Sequence, residues 1–218
     1  MKAIVFDLDG TLVDSAPDIV GAGNALLAAE GAAAIPFEVA RGFIGAGADV
    51  FVRRMMAAAG MGDDPAHAAR LHAAFLDRYE GAVGATALYP GVIGALDALA
   101  AQGWRIGICT NKPERPTAAL LRHFGLGARF AAVIGGDTLA VRKPDPAPLA
   151  AAIAALGGLP TVFVGDSETD SVTARRARVP LALYTEGYRK TALGALHHDA
   201  AFSDFADLPG IAARLVAR

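Results

Sequence analysis

Short apolar runs and longer stretches of helical periodicity divide this chain into one strand, a helical block and then a regular alternation. Residues 2–6, Lys-Ala-Ile-Val-Phe, form a short run of strand formers that meets Asp7 at once. A helix follows, with Asp14 or Ser15 as its cap and Pro17 in its first turn, running to Gly31. The spacing predicts further helices over 36–44, 48–59 and 65–82, with glycine-bearing turns between them and no strand in the block. From Pro90 the pattern changes. Helices over 90–103, 115–124, 146–156 and 169–177 alternate with strands over 104–109, 131–134, 161–164 and 181–184, and a last helix covers 208–216.

Short apolar strands alternating with helices indicate parallel strands joined by helical crossovers, so the sheet is covered on both faces. The expected fold is α/β, a Rossmann-like parallel sheet core flanked by helices, with an inserted all-helical cap domain. Residues 1–15 and 85–218 would form the core and residues 16–84 the cap. An insertion just after the first strand would stand over the C-terminal edge of the sheet, where open α/β sheets bind ligands.

Composition adds exclusions. Hydrophobic residues are 54% of the 218 and charged residues 19%, which excludes a disordered chain. The 20 basic and 22 acidic residues leave a formal charge of −2 with no basic stripe, so no nucleic-acid partner is expected. The uncharged stretch 146–165 has the length of a membrane span, but Pro146, Pro148, Gly157, Gly158 and Pro160 divide it into a helix and a strand, and no membrane partner is expected. The apolar run after Lys2 is too short for a secretory signal, and the single cysteine, Cys109, forms no internal disulfide; both readings point to a cytoplasmic protein. Monomer and homodimer are both open.

Asp7 and Asp9 end the first strand, on the same side of an extended chain, and Gly10 lets the backbone turn after them. Carboxylates so crowded repel unless a cation or a shared proton relieves them. The other strands end in Thr110 and Asn111, in Gly135, Gly136 and Asp137 with Lys143 shortly after, and in Gly165 and Asp166. Each has an ordinary explanation alone: a turn, a helix cap, a solvated lysine. On one edge of a parallel sheet they assemble a hydroxyl, an amide, an ammonium and several carboxylates, an inventory that suits phosphoryl transfer. A hard cation such as Mg2+ prefers oxygen ligands of this kind, and Asp7, Asp9 and Asp166 could supply them.

These residues resemble the haloacid dehalogenase superfamily of phosphatases. Asp7 to Thr11 is similar to its first motif, Thr110 with Asn111 to its second, Lys143 with Pro144 to its third, and Gly165, Asp166, Ser167 with Asp170 to its fourth. The resemblance implies that Asp7 attacks phosphorus, that Asp9 protonates the leaving alcohol and then activates water, that Thr110 holds a phosphate oxygen, and that Lys143 balances charge. It also implies a Mg2+ held by Asp7, the backbone carbonyl of Asp9, and Asp166, with Asp170 in or just outside that shell.

Within the superfamily the chain is most similar to phosphoglycolate phosphatases, on the segment from Gly135 to Leu149, the cap stretch from Gly42 to Arg54, and Gly187 with Tyr188. The implied partner is a small phosphorylated metabolite. A two-carbon acid needs a cation for its carboxylate, and Arg41, Arg53 and Arg54 are the candidates in the cap, with Asn111 a further substrate contact. A phosphosugar phosphatase or phosphomutase of similar design is the alternative. A dehalogenase would not need so many acids, and a receiver-like module would not need the insertion. Arg178 departs from the pattern, standing where relatives carry a glycine suited to a left-handed helix end.

Overall fold

The computed structural model describes residues 1–217. In chain order, the core opens with strand β1 (Lys2–Phe6) and the two-residue β2 (Val13–Asp14). The helical block comprises α1 (Ala16–Ala29), α2 (Phe37–Arg41), α3 (Ala48–Ala58) and α4 (Pro65–Glu80). The core resumes with β3 (Ala87–Leu88), α5 (Val92–Ala101), β4 (Trp104–Cys109), α6 (Glu114–His123), β5 (Ala132–Ile134) and α7 (Ala147–Ala155). It ends with β6 (Thr161–Gly165), α8 (Glu168–Ala177), β7 (Leu181–Tyr184), β8 (Ala200–Phe202) and α9 (Leu208–Leu215).

Six parallel strands form one sheet in the order β5-β4-β1-β6-β7-β8. The apolar run of β1 is continuous, yet it serves both faces because alternate side chains point opposite ways. Ile4 and Phe6 join Ile106, Ile108, Val162 and Val164 against α5, α6 and α9, through Leu96, Leu120 and Ile211 among others. Ala3 and Val5 join Phe163, Leu181 and Leu183 against α7 and α8, through Leu149, Ala152 and Ala174. Truncating a side chain buried like Phe6 to alanine would cost about 3–5 kcal/mol.

The cap has a core of its own. Ile19, Leu26, Phe51, Met55, Leu71 and Phe75 pack together from α1, α3 and α4. Phe75 links that core to the site, lying 5.3 Å from the Phe51 ring and 5.0 Å from the Tyr79 ring.

Several local expectations change. The ribbon of β2 with β3 and the edge strand β8 are additions to the predicted elements. Ser15 stands at the N-cap of α1, but its hydroxyl makes no capping bond. Instead the Tyr188 hydroxyl accepts from the Ser15 and Ala16 amides at 2.8 and 2.9 Å and donates to Asp14 at 2.8 Å. A residue far along the chain thus satisfies orphan amides at the start of α1 and fixes where it leaves the core. Arg178 keeps the left-handed helix end expected of glycine, at φ 58°, a strain of about 1 kcal/mol. Among the described residues no helix is long and apolar enough to cross a membrane.

Candidate active site

The sheet register brings the predicted residues to one edge. Phe6 pairs with Ile108 on one side and Val164 on the other, so the ends of β1, β4 and β6 lie level. The Asp7 amide continues the ladder, donating to the Val164 carbonyl at 2.8 Å, and the Thr110 amide donates to Ile134 at 3.0 Å. Gly10 then turns the chain at φ 85°, and a Cβ there would lie 2.5 Å from Asp166 Oδ2, so only glycine fits.

Asp7, Asp166 and Asp170 are buried and each offers an oxygen within 4.8 Å of the others. Their surroundings differ. Asp166 is oriented by the Thr11 hydroxyl at 2.7 Å and the Tyr188 amide at 2.6 Å. Asp170 Oδ2 accepts from the Asp166 and Ser167 amides and the Ser167 hydroxyl at 3.2, 3.1 and 2.7 Å, completing a capping box on α8. Its Oδ1 takes the Lys143 ammonium at 2.7 Å. Asp170 therefore has both oxygens engaged, and it anchors the lysine and the turn.

Lys143 also forms an ion pair with Asp7 Oδ1 at 2.9 Å, and among the described residues nothing else approaches this buried oxygen as a hydrogen-bond partner. Burial pushes the Asp7 carboxyl up to about 7, with Lys143 pulling against it and Asp170 adding to it. Burial likewise raises Asp166 well above the carboxylate range, and Asp170 and Asp7 raise it further. Burial opposes the Lys143 charge, but Asp170 and Asp7 outweigh it and raise the lysine. Crowded, desolvated carboxylates, with only one ammonium among them at Asp7 and Asp170, are the donor set that a hard divalent cation fits.

Asp9 lines one cavity with Asp7, Thr110 and Asn111. The Asn111 amide bridges cap and core, donating to Gly45 at 3.0 Å and to the Lys143 carbonyl at 2.9 Å. The cap arginines behave otherwise. Arg41 donates to the Gly187 carbonyl at 3.1 Å and lies 5.2 Å from the centre of the Tyr188 ring. Arg53 is exposed on α3, whereas Arg54, which donates to the Phe43 carbonyl, lines a second cleft together with Asp7, Asp9 and Asp166. Arg41 and Arg53 do not line the cavity that holds Asp9 and Thr110.

Lys112 has no counterpart among the sequence candidates. Its buried ammonium lies 3.2 Å from Asp9 Oδ1, bonds to the Tyr79 hydroxyl, and sits 4.0 Å from the centre of that ring. The Ser15 hydroxyl donates to the same Asp9 oxygen at 2.6 Å. Adjacency to Thr110 and Asn111 was the available signal for Lys112; none marked Tyr79, which the cap supplies from α4.

The family model for haloacid dehalogenase-like hydrolases matches residues 1–178, and the chain belongs to that family. A phosphoglycolate phosphatase from Cereibacter sphaeroides is 47% identical over 218 residues, covering all of both chains. The crystal structure of a predicted phosphoglycolate phosphatase from Haemophilus somnus is 32% identical at a TM-score of 0.90, covering 97% of each chain. A CbbY mutant from Rhodobacter sphaeroides, in complex with xylulose-(1,5)bisphosphate, is 25% identical at a TM-score of 0.81, covering 95% of this chain and 96% of its own. With this family and these relatives, the chain is a phosphatase.

Proposed function

We propose that the protein hydrolyses 2-phosphoglycolate in the cytoplasm, through an aspartyl-phosphate on Asp7, with Mg2+ as its cofactor. The observation that carries this is the buried carboxylate of Asp7, paired with Lys143 at 2.9 Å and crowded by the acids Asp166 and Asp170. Asp7 attacks phosphorus, and the alkoxide leaves toward Asp9, which gives it a proton and then takes one from the water that releases phosphate. Thr110, Asn111 and Lys143 orient the phosphoryl oxygens from the ends of two neighbouring connections. Asp7, Asp166, the backbone of Asp9 and, from just outside, Asp170 would hold Mg2+, which supplies charge neutralisation between an anionic nucleophile and an anionic ester. Residues 16–84 form the cap that covers the leaving group and excludes water, and residues 1–15 and 85–218 the core. The enzyme works as a monomer or homodimer, with no nucleic-acid or membrane partner.

The preference for a two-carbon acid over a phosphosugar is supported by the full-length relative at 47% identity. A phosphosugar reading draws support from the sugar bisphosphate in the more distant CbbY complex. A panel of phosphorylated metabolites, assayed for phosphate release with Mg2+ and with chelator, separates them. Highest kcat/KM for 2-phosphoglycolate, lost on chelation, is expected; a sugar phosphate at the head of the panel, or turnover indifferent to chelator, would sink the proposal.

A further inference from the structure

We propose that Lys112 selects the substrate by pairing with a carboxylate beside the phosphoester, and that it gives up Asp9 to do so. This deepens the reading of the protein as a phosphatase for a small phosphorylated acid and rests on it.

A lysine ammonium is among the costliest groups to bury, and replacing such a pair by apolar side chains is often neutral or stabilising. Lys112 nonetheless has 2% of its side chain exposed. That ammonium joins Asp9 of the core to Tyr79 on α4 of the cap, so it sits where the two meet. Its position is functional in another way: it lines the cavity shared by Asp7, Asp9 and Thr110, whose cap wall is apolar, with Ile44, Phe51 and Phe75. Lys143 does not line this cavity and is paired with Asp7 and Asp170. A short carbon stem suits the apolar wall, whereas the hydroxyls of a sugar would find few partners there. The first turn of α3, at Gly47 and Ala48, faces the same space and adds the positive end of a helix dipole.

The exchange leaves no charge stranded. When a substrate carboxylate takes Lys112, the ammonium exchanges one carboxylate partner for another, and Asp9 takes up a proton from solvent as it parts from Lys112 while keeping the Ser15 hydroxyl at 2.6 Å. Asp9 is then released toward the leaving oxygen. An ester without the carboxylate offers Lys112 nothing, so Asp9 stays tied to it. Recognition of the acid and freeing of the proton donor become one event, which places the discrimination in turnover as well as in affinity.

The test compares 2-phosphoglycolate with ethyl phosphate, which lacks the carboxylate, in the wild type, Lys112→Met and Lys112→Arg. The wild type is expected to favour 2-phosphoglycolate in kcat/KM by about 100-fold, the scale of a charge-assisted contact. Lys112→Met should cut that preference by about 30-fold or more, and Lys112→Arg should restore part of it. Tyr79→Phe, which keeps the ring and removes one partner of the ammonium, guards against misfolding of the methionine variant and should erode the same preference to a smaller extent. Equal losses on both esters would reduce Lys112 to a support for Asp9 and overturn the inference, as would a wild type indifferent to the carboxylate. The phosphatase reading fails separately, if the wild type releases phosphate from neither ester.

Discussion

In the sheet core Asp7, Asp166 and Asp170 crowd together out of water, whereas on the cap Glu30 stands near the surface between Arg70, bonded at 2.9 and 3.0 Å, and His67 at 3.1 Å. The two regions drive their acids in opposite directions. Burial lifts Asp7 to about 7, against an ordinary 3.8, while the Arg70 bonds and His67 hold Glu30 down at about 2, against 4.5. An acid raised by folding opposes folding: in protein free of metal, stability falls as pH rises from 3.8 to 7, and the cost is complete above that. An acid lowered by folding does the reverse. The cap carboxylate supports the fold, while the core carboxylates are crowded together at a cost to it, where a cation and a phosphoryl group can use them.

The largest expected effect follows from removing the charge that folding resists. Asp7→Asn should lower kcat by about 1,000-fold or more, since no nucleophile remains. Lys143 would keep Asp170 at 2.7 Å, so the metal-free variant should be as stable as the wild type within about 1 kcal/mol, or more stable. Urea denaturation in chelator beside a phosphate-release assay reads both numbers. An Asp7→Asn protein that turns over like the wild type would break the comparison at its root, and one that loses several kcal/mol would show that the cluster supports the fold after all.

Asp170→Asn should do something different from the same exchange at Asp7, its neighbour in the cluster. Its oxygens already serve Lys143, two amides and a hydroxyl, so an amide group must turn a donor toward donors. We expect a loss of about 3 kcal/mol from the buried pair together with the capping box, and a lower kcat because Lys143 is released. Near-wild-type stability in urea would show that Asp170 belongs with the free ligands rather than with the supports.

The readability of the chain follows the same division between what is local and what is assembled. Trp104–Cys109 and Leu181–Tyr184 occupy the predicted positions because each is a short apolar run closed by polar or glycine-rich turns. The parallel sheet was legible from the alternation, and the candidate residues from their places at strand ends. The strand Ala200–Phe202 was not, because it is three residues on a sheet edge, and its pairing with β7 is a tertiary fact. Lys112 reads as a loop lysine until Tyr79, 33 residues earlier, closes over it. Arg41 sits in a five-residue helix with too little periodicity to reveal its face, and it stacks on Tyr188 from the far end of the chain. Side chains whose role depends on cap meeting core carry no signature in either segment alone.

The smallest expected effect lies on the cap. Glu30→Gln removes the charge that Arg70 and His67 share, leaves the cavity untouched, and should hold kcat/KM within about twofold. Its effect on stability is sharper in sign than in size. The folded Glu30 titrates at about 2 and the unfolded one near 4.5, so the wild type's advantage is fully present above pH 4.5 and disappears as pH falls through about 2. The gap in melting temperature between wild type and variant should therefore be constant from neutral pH down to about 5, then close on further acidification, and shrink in high salt because the pair is near the surface. A gap that widened toward acid would mean that Glu30 is raised by folding like Asp7, and the contrast between cap and core would vanish.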